Sequence, residues 1–202
     1  MKALVTQLEL EHRNLDKLAG LLSRFRPSLS ELPPDQAEIQ LLVDVLSYLT
    51  QFPDVHHHPV EDRIVEALRN KGALDNGLSE EIERQHRVLA QQGQDLMRDL
   101  ESAAREETVS WVQLPIEIRL YAERLRHNMV VEELALFPLA VTRLGDADAQ
   151  AIGMLLSQAP PDPLFVDKAM ARFADLHRII ATEAGCGCFD HLPPAGAGEE
   201  PA

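Results

Sequence analysis

Apolar residues recur at three- and four-residue intervals along most of the chain, the spacing of a single buried helical face. Leu4, Leu8, Leu15, Leu18 and Leu22 make the first stripe, so the N-terminal stretch reads as an amphipathic helix. Three prolines and two serines between Arg26 and Asp35 predict a loop, and Asp35 suits the N-cap of the next helix. Ile39, Leu42, Leu46 and Leu49 form a second stripe. Pro53 and Pro59 interrupt it, which predicts a kinked helix, or two abutting ones, reaching about Leu68. The segment Asn70 to Gly77 reads as a turn, and Ile82, Leu89, Leu96 and Leu100 mark a third helix. The run AREET separates it from a fourth, roughly Ser110 to Leu144, with Pro115 near the start, where proline is tolerated. Gly145 stops that helix, and a short fifth runs from Asp146 to Ser157. The breaker APPDP follows, then a sixth helix from about Leu164 to Ala184. Four long helices joined by short loops predict an all-α, antiparallel four-helix bundle over 1–145. Two further helices form a C-terminal extension over 146–184, and a Gly-, Pro- and Glu-rich tail over 185–202 is expected to be disordered.

Composition narrows the class without naming the chemistry. The 202 residues are 45% hydrophobic and 26% charged, a soluble globular balance, and only 4% aromatic, so the core must be aliphatic. The formal net charge of −14 argues against a nucleic-acid partner and against an anionic membrane surface. No apolar run is long enough to span a bilayer, and no cleavable leader pattern is seen, so a cytoplasmic location is expected. Cys186 and Cys188 stand one residue apart in the tail, where a bridge would restrain little chain.

Chemistry enters with the eight histidines, most of which fall on apolar stripes. His12 extends Leu4 and Leu8, and His86 extends Ile82 and precedes Leu89, so both point inward. In QFPDVHHHPVED two pairings compete, His57 with Glu61 and His58 with Asp62. The first continues to Ile64 and Leu68 and the second to Val65 and Arg69, so phase selects His57 and Glu61 and leaves His58 as the fallback. In the fourth helix His127 shares a stripe with Leu120, Val131 and Leu134, while Glu132 lies with Ile118, Tyr121, Leu125 and Leu136. A spacing of five separates the two by about 140° in an ideal helix, so both reach one point only near the bundle axis or across a bulge. Glu133 reads as solvated, and Tyr121 as a hydrogen-bond donor to Glu132. His177 reads as a packing or surface residue. Imidazoles from four helices, two of them with nearby carboxylates, suit a pair of non-haem iron or manganese ions.

The stretches LELEHRNLDKLAGLL, YLTQFPDVHHHPVED, IERQHRVLAQQGQDL and YAERLRHNMVVEELALFPLA together resemble the hemerythrin-like, or HHE cation-binding, family. The resemblance implies two iron ions joined by an oxo or hydroxo bridge, with manganese as an alternative. It would make His12 and His57 ligands to one ion and His86 and His127 ligands to the other. Glu61 and Glu132 would bridge, and an open position would take dioxygen, nitric oxide or peroxide. Two departures stand out. Ile82 occupies a position where the classical pattern has histidine, leaving one ion short of a ligand that water or Glu83 would replace. Many bacterial relatives space the fourth-helix pair by four, which here points to Asn128.

Three functions fit these residues. The first is a di-iron module binding or sensing dioxygen or nitric oxide. The second is a stress-response enzyme acting on peroxide or nitric oxide, or an iron donor for iron–sulfur cluster repair. The third is a metal-free helical interaction protein. A sensor would need a separate signalling partner, and the acidic surface and C-terminal helices leave room for a homodimer.

Overall fold

The computed structural model describes residues 1–25, 35–105, 109–158, 161–166 and 169–183, the side chains of 155–158 and 183 excepted. Most of the loop expected after Arg26, part of the AREET run and of APPDP, Cys186, Cys188, His191 and the tail lie outside the described residues. Among the described residues the regular elements are all helical.

Helix α1 spans Lys2–Arg24, α2 Gln36–Gln51, α3 His58–Asn70 and α4 Asn76–Ala104. Helices α5 (Leu114–Val131), α6 (Phe137–Arg143) and α7 (Asp146–Gln158) follow. The expected stripes are the buried faces: Leu8, Leu18 and Leu22 of α1, Leu46 and Leu49 of α2, and Leu89, Leu96 and Leu100 of α4 are essentially inaccessible to water. Helix α1 packs on α5, α5 on α4, and α4 on α2, giving the bundle. Asp35 caps α2 as expected, accepting the Glu38 amide at 2.8 Å. The turn after α3 is a Schellman motif: the Ala73 amide reaches Leu68 O at 2.9 Å and the Gly72 amide reaches Arg69 O at 2.9 Å. Gly72 sits at φ 62°, a conformation that favours a residue without Cβ. Asp75 then caps α4 by accepting the amides of Gly77 and Leu78.

Two π turns interrupt the bundle helices, at Pro53–His57 and at Glu132–Leu136. In each, an amide reaches back five residues, His58 to Pro53 O and Phe137 to Glu132 O. In each, the next residue is a proline, Pro59 or Pro138. Proline lacks an N–H and its ring collides with the carbonyl four residues back; a widened turn relieves that collision without breaking the rod. The kink expected near Pro59 therefore takes the form of a π turn.

Each bundle helix crosses a polar level between two apolar ones. On α1 His12 lies between Leu8 and Leu15, and on α4 His86 lies between Ile82 and Leu89. One apolar level is a single cluster that includes Leu8, Ile64, Leu68, Ile82, Leu136 and Phe137. Ile152 of α7 joins that cluster, and Lys71 pairs with Asp148 at 2.9 Å, so α7 belongs with the compact unit Met1–Asp162.

A second unit begins at Pro163. Its helix starts later than the expected Leu164: a 3-10 turn at Ala171–Phe173 leads into α8, Ala174–Glu183. Met170 is extended (φ −58°, ψ 147°) and its amide bonds to Pro163 O at 2.9 Å, so no helical ladder runs through it. His177 is half-buried on α8. Among the described residues no helix is long and apolar enough to cross a membrane.

Candidate metal centre

The polar level gathers residues from every rod of the bundle. His12 from α1, His57 from the first π turn, His58 and Glu61 from α3, His86 from α4 and Glu132 from the second π turn are all buried. His12 Nε2 lies 3.2 Å from Glu61 Oε1 and 3.5 Å from Glu132 Oε2. His57 Nε2 lies 3.2 Å from Glu61 Oε1. His86 Nε2 lies 2.8 Å from Glu132 Oε1 and 3.6 Å from Glu61 Oε2. Two three-residue groups, His12–His57–Glu61 and His58–Glu61–His86, each bring their donor atoms within 4.8 Å of one another, with Glu61 common to both.

The opposite edge of every ring is held as well. His12 Nδ1 bonds to Glu133 at 3.0 Å, His57 Nδ1 to Glu11 at 2.6 Å, His58 Nδ1 to Asp54 at 3.0 Å and His86 Nδ1 to Asp62 at 2.9 Å. A carboxylate only accepts, so each Nδ1–H donates. With Nδ1–H held there, Nε2 is the nitrogen left to ligate a metal once its own proton is displaced. Phe137 stacks on His12 at 5.3 Å, and His58 stacks on His86 at 4.4 Å, which restrains the ring planes further.

Five of the six residues expected from the sequence meet here: His12, His57, Glu61, His86 and Glu132. His127 does not. It is exposed on the outer face of α5, with Leu120 and Leu134 of its own stripe. The inner stripe runs Ile118, Tyr121, Leu125, Asn128, Glu132, an unbroken alternation of three and four, and His127 is one residue, about 100°, off it. Asn128 takes the inward place, 1% exposed, and its Nδ2 donates to Glu132 Oε1 at 2.7 Å and to Gln85 Oε1 at 3.3 Å. Tyr121 is buried against Gly93, and the hydrogen bond expected from it to Glu132 is instead made by Asn128.

His58 enters alongside His57 because Glu61 has neighbours on its face at both i−3 and i−4. The two pairings read as rivals are therefore not exclusive. Ile82 is fully buried in the apolar cluster, and Glu83 pairs outward with Arg69 at 2.7 Å, so neither supplies a donor to the centre. Glu133, expected to be solvated, is half-exposed and holds His12. The carboxylates at the Nδ1 edges were missed in the sequence, yet a pattern was there. Glu11, Asp62 and Glu133 each adjoin an inward residue, and Asp54 precedes His58 by one helical turn.

Charge in the centre is divided unequally. Burial opposes a proton on His57, but the Glu61 charge and the Glu11 hydrogen bond outweigh it and raise its pKa to about 10. Burial is likewise overcome at His86, by hydrogen bonds to Asp62 and Glu132, to about 10. His12 is raised more modestly against burial, by its hydrogen bond to Glu61 and that group's charge. Glu61 is held well below the carboxylate range: burial opposes its charge, but His57 and His12 prevail. Glu132 goes the other way, raised by burial and by the charge of Glu61.

The donor set fits a cation. His57 Nε2, Glu61 Oε2 and Glu132 Oε2 are buried without hydrogen-bond partners, all aimed into the same space. Each such atom costs about 1–3 kcal/mol when left unsatisfied. A metal among them would satisfy all three, and imidazole plus carboxylate is an iron or manganese donor set.

A family profile for the hemerythrin HHE cation-binding domain matches residues 3–140. No curated protein and no solved structure gives a match. The matched region contains every residue of the polar level and both π turns. By that match, over more than half its length, the chain belongs to the hemerythrin HHE cation-binding family.

Proposed function

We propose that the chain holds two metal ions, iron in both positions with manganese as the alternative, and uses them to bind a small diatomic ligand, dioxygen or nitric oxide. The observation that carries this reading is the convergence of four imidazoles on two buried carboxylates, with each ring tied at its far edge by a further carboxylate. His12 and His57 would serve one ion and His58 and His86 the other, with Glu61 and Glu132 shared between them. Six side chains do not saturate two such ions. When bound, the metals would supply one-electron chemistry and coordination positions open to dioxygen, nitric oxide or peroxide.

The chain's own residues do the rest. The Nδ1 carboxylates orient the rings and keep each Nε2 directed inward. Leu8, Ile64, Leu136 and Phe137 wall the centre and exclude water. Asn128 anchors Glu132 by one oxygen and leaves the other directed inward. Glu133 lines a surface groove of about 340 Å³ that also touches His12, so a proton on His12 Nδ1 has a path to solvent through that carboxylate. That route favours a second reading, turnover of peroxide or nitric oxide, over a sealed carrier.

Anaerobic loading with ferrous iron, followed by air, separates these readings. About two irons per chain and a stable charge-transfer band support binding or sensing. Rapid consumption of added peroxide supports the enzyme, and transfer of iron to an apo-cluster acceptor supports repair. Less than one iron per chain, unchanged by His57→Ala, would sink the metal reading and leave a helical interaction protein.

A further inference from the structure

Outside the centre, α4 and α5 frame a surface groove of about 490 Å³. A recess of about 130 Å³ adjoins it through the shared Arg84, Val88 and Arg124. The groove has an apolar floor of Val88, Leu96 and Leu120, and Leu120 is 44% exposed. Three guanidiniums line it, Arg84, Arg87 and Arg124, in a chain whose net charge is −14. Arg124 donates to the neutral Gln92 at 2.6 Å, and Arg87 pairs with no carboxylate among the described residues. Of the acids beside them, Asp95 is paired with Arg98 and Glu81 with Arg84, while Glu117 accepts from the neutral Gln113 and keeps its charge.

We propose that this groove binds an organic phosphate and passes its occupancy to the buried Glu132. Arg87 and Arg124 have no carboxylate partner among the described residues and Arg84 shares Glu81, so the groove holds more positive charge than a single carboxylate would use, whereas a phosphate offers three terminal oxygens and up to two charges. An inorganic ion would leave the apolar floor bare; a flat organic body would cover it, and the volume lies in the range of organic ligand sites. The recess has Gln85 as its inner wall, 8% exposed. Its Nε2 donates to Glu81 at 2.7 Å, and its Oε1 accepts from Asn128, which holds Glu132. Glu81 is in turn held by Arg84 at 2.6 Å. A phosphate that takes Arg84 frees Glu81, loosens Gln85, and so changes the bond between Asn128 and Glu132.

The test uses the full chain freed of metal by chelation, so that its outcome is separate from the metal reading. Adenosine monophosphate, inorganic phosphate and adenosine are titrated while the side-chain amides of Gln85 and Asn128 are followed by NMR. The expected result is saturable binding of the monophosphate, at least tenfold weaker binding of inorganic phosphate, and movement of both amides. Arg84→Ala with Arg124→Ala, both on the surface, should weaken binding tenfold or more while the helical content, read by circular dichroism, is unchanged. Arg84→Lys with Arg124→Lys, which keeps the charge without the fork, should fall between. No saturable binding at millimolar concentration, or binding indifferent to the alanine pair, overturns the site. Inorganic phosphate binding as tightly as the monophosphate overturns the organic class. Binding with both amides unmoved overturns the link to Glu132.

Discussion

Raising the pH should destabilise the metal-free chain, and bound metal should cancel the effect. In the metal-free fold His57 and His86 keep their protons up to about 10, whereas the unfolded chain releases them near 6.5. A folded pKa raised above its unfolded value contributes stability that is complete below about 6.5 and lost as the pH climbs toward the folded value. Between those limits the fold holds one extra proton per histidine. Each ring then removes about 1.4 kcal/mol of stability per pH unit, and the pair about 2.7 kcal/mol. His12 adds to the same direction. Glu132, also raised, loses its contribution as the pH rises from near 4.5, and Glu61, lowered, loses its own only on the acid side, below its ordinary range. With urea slopes of about 1–3 kcal/mol per molar, the unfolding midpoint should fall by on the order of 1 M per pH unit above neutrality. A metal that replaces the Nε2 protons removes the difference in proton count and should flatten the dependence. Urea titrations at pH 7, 8 and 9, on chelated and on anaerobically iron-loaded chain, measure both slopes. A chelated-chain midpoint that stays level or rises from pH 7 to 9 would refute the charge assignment.

Four substitutions probe the rest of the arrangement. His58→Ala should lower bound metal while His127→Ala leaves it unchanged, read by elemental analysis of the loaded chains; the reverse order would show that the outer face of α5 holds the donor after all. Asn128→Leu should cost about 1–3 kcal/mol in chemical denaturation, because it strips the donor from Glu132 and leaves Gln85 Oε1 without that partner; an unchanged midpoint argues against that anchor. Gly93→Ala should destabilise by about 1–3 kcal/mol, since its Cβ would lie 2.7 Å from Thr50 Cγ2, and Thr50 is pinned by its hydroxyl bond to Leu46 O at 2.8 Å. A stabilised Gly93→Ala protein would show that α4 and α2 can move apart at no cost.

The bundle was readable because its signals are local. The leucine stripes, the cap at Asp35 and the turn after α3 each depend on a few neighbouring residues. His12, His57, Glu61, His86 and Glu132 were readable for the same reason, since each continues an apolar stripe of its own helix. The misplacement at His127 has a different origin. Periodicity alone put Glu132 with Ile118, Tyr121 and Leu125, and that alternation passes through Asn128. The neighbouring histidine was drawn in by a competing apolar stripe, Leu120, Val131 and Leu134, while the four-residue spacing of many bacterial relatives already pointed to Asn128. His127 sits among Leu120 and Leu134, apolar residues that are 44% and 76% exposed, so hydrophobicity on its own did not separate the inner face from the outer.

The Nδ1 carboxylates were harder to read because three of them act between helices, where a one-dimensional pattern has no reach. Glu11 serves a ring on another rod, as do Asp62 and Glu133. Only Asp54 and His58 pair within one turn. The prolines, by contrast, mark more than a kink. Pro59 and Pro138 each follow a π turn, and each of those turns carries a residue of the centre, His57 in one case and Glu132 in the other. An α-helix that meets a proline must either break or widen. Here the widening falls where two buried rods must each aim polar side chains at one shared point. A proline just beyond an inward His or Glu, in an otherwise continuous helical stripe, is thus better read as a mark of that local widening than as the end of a helix.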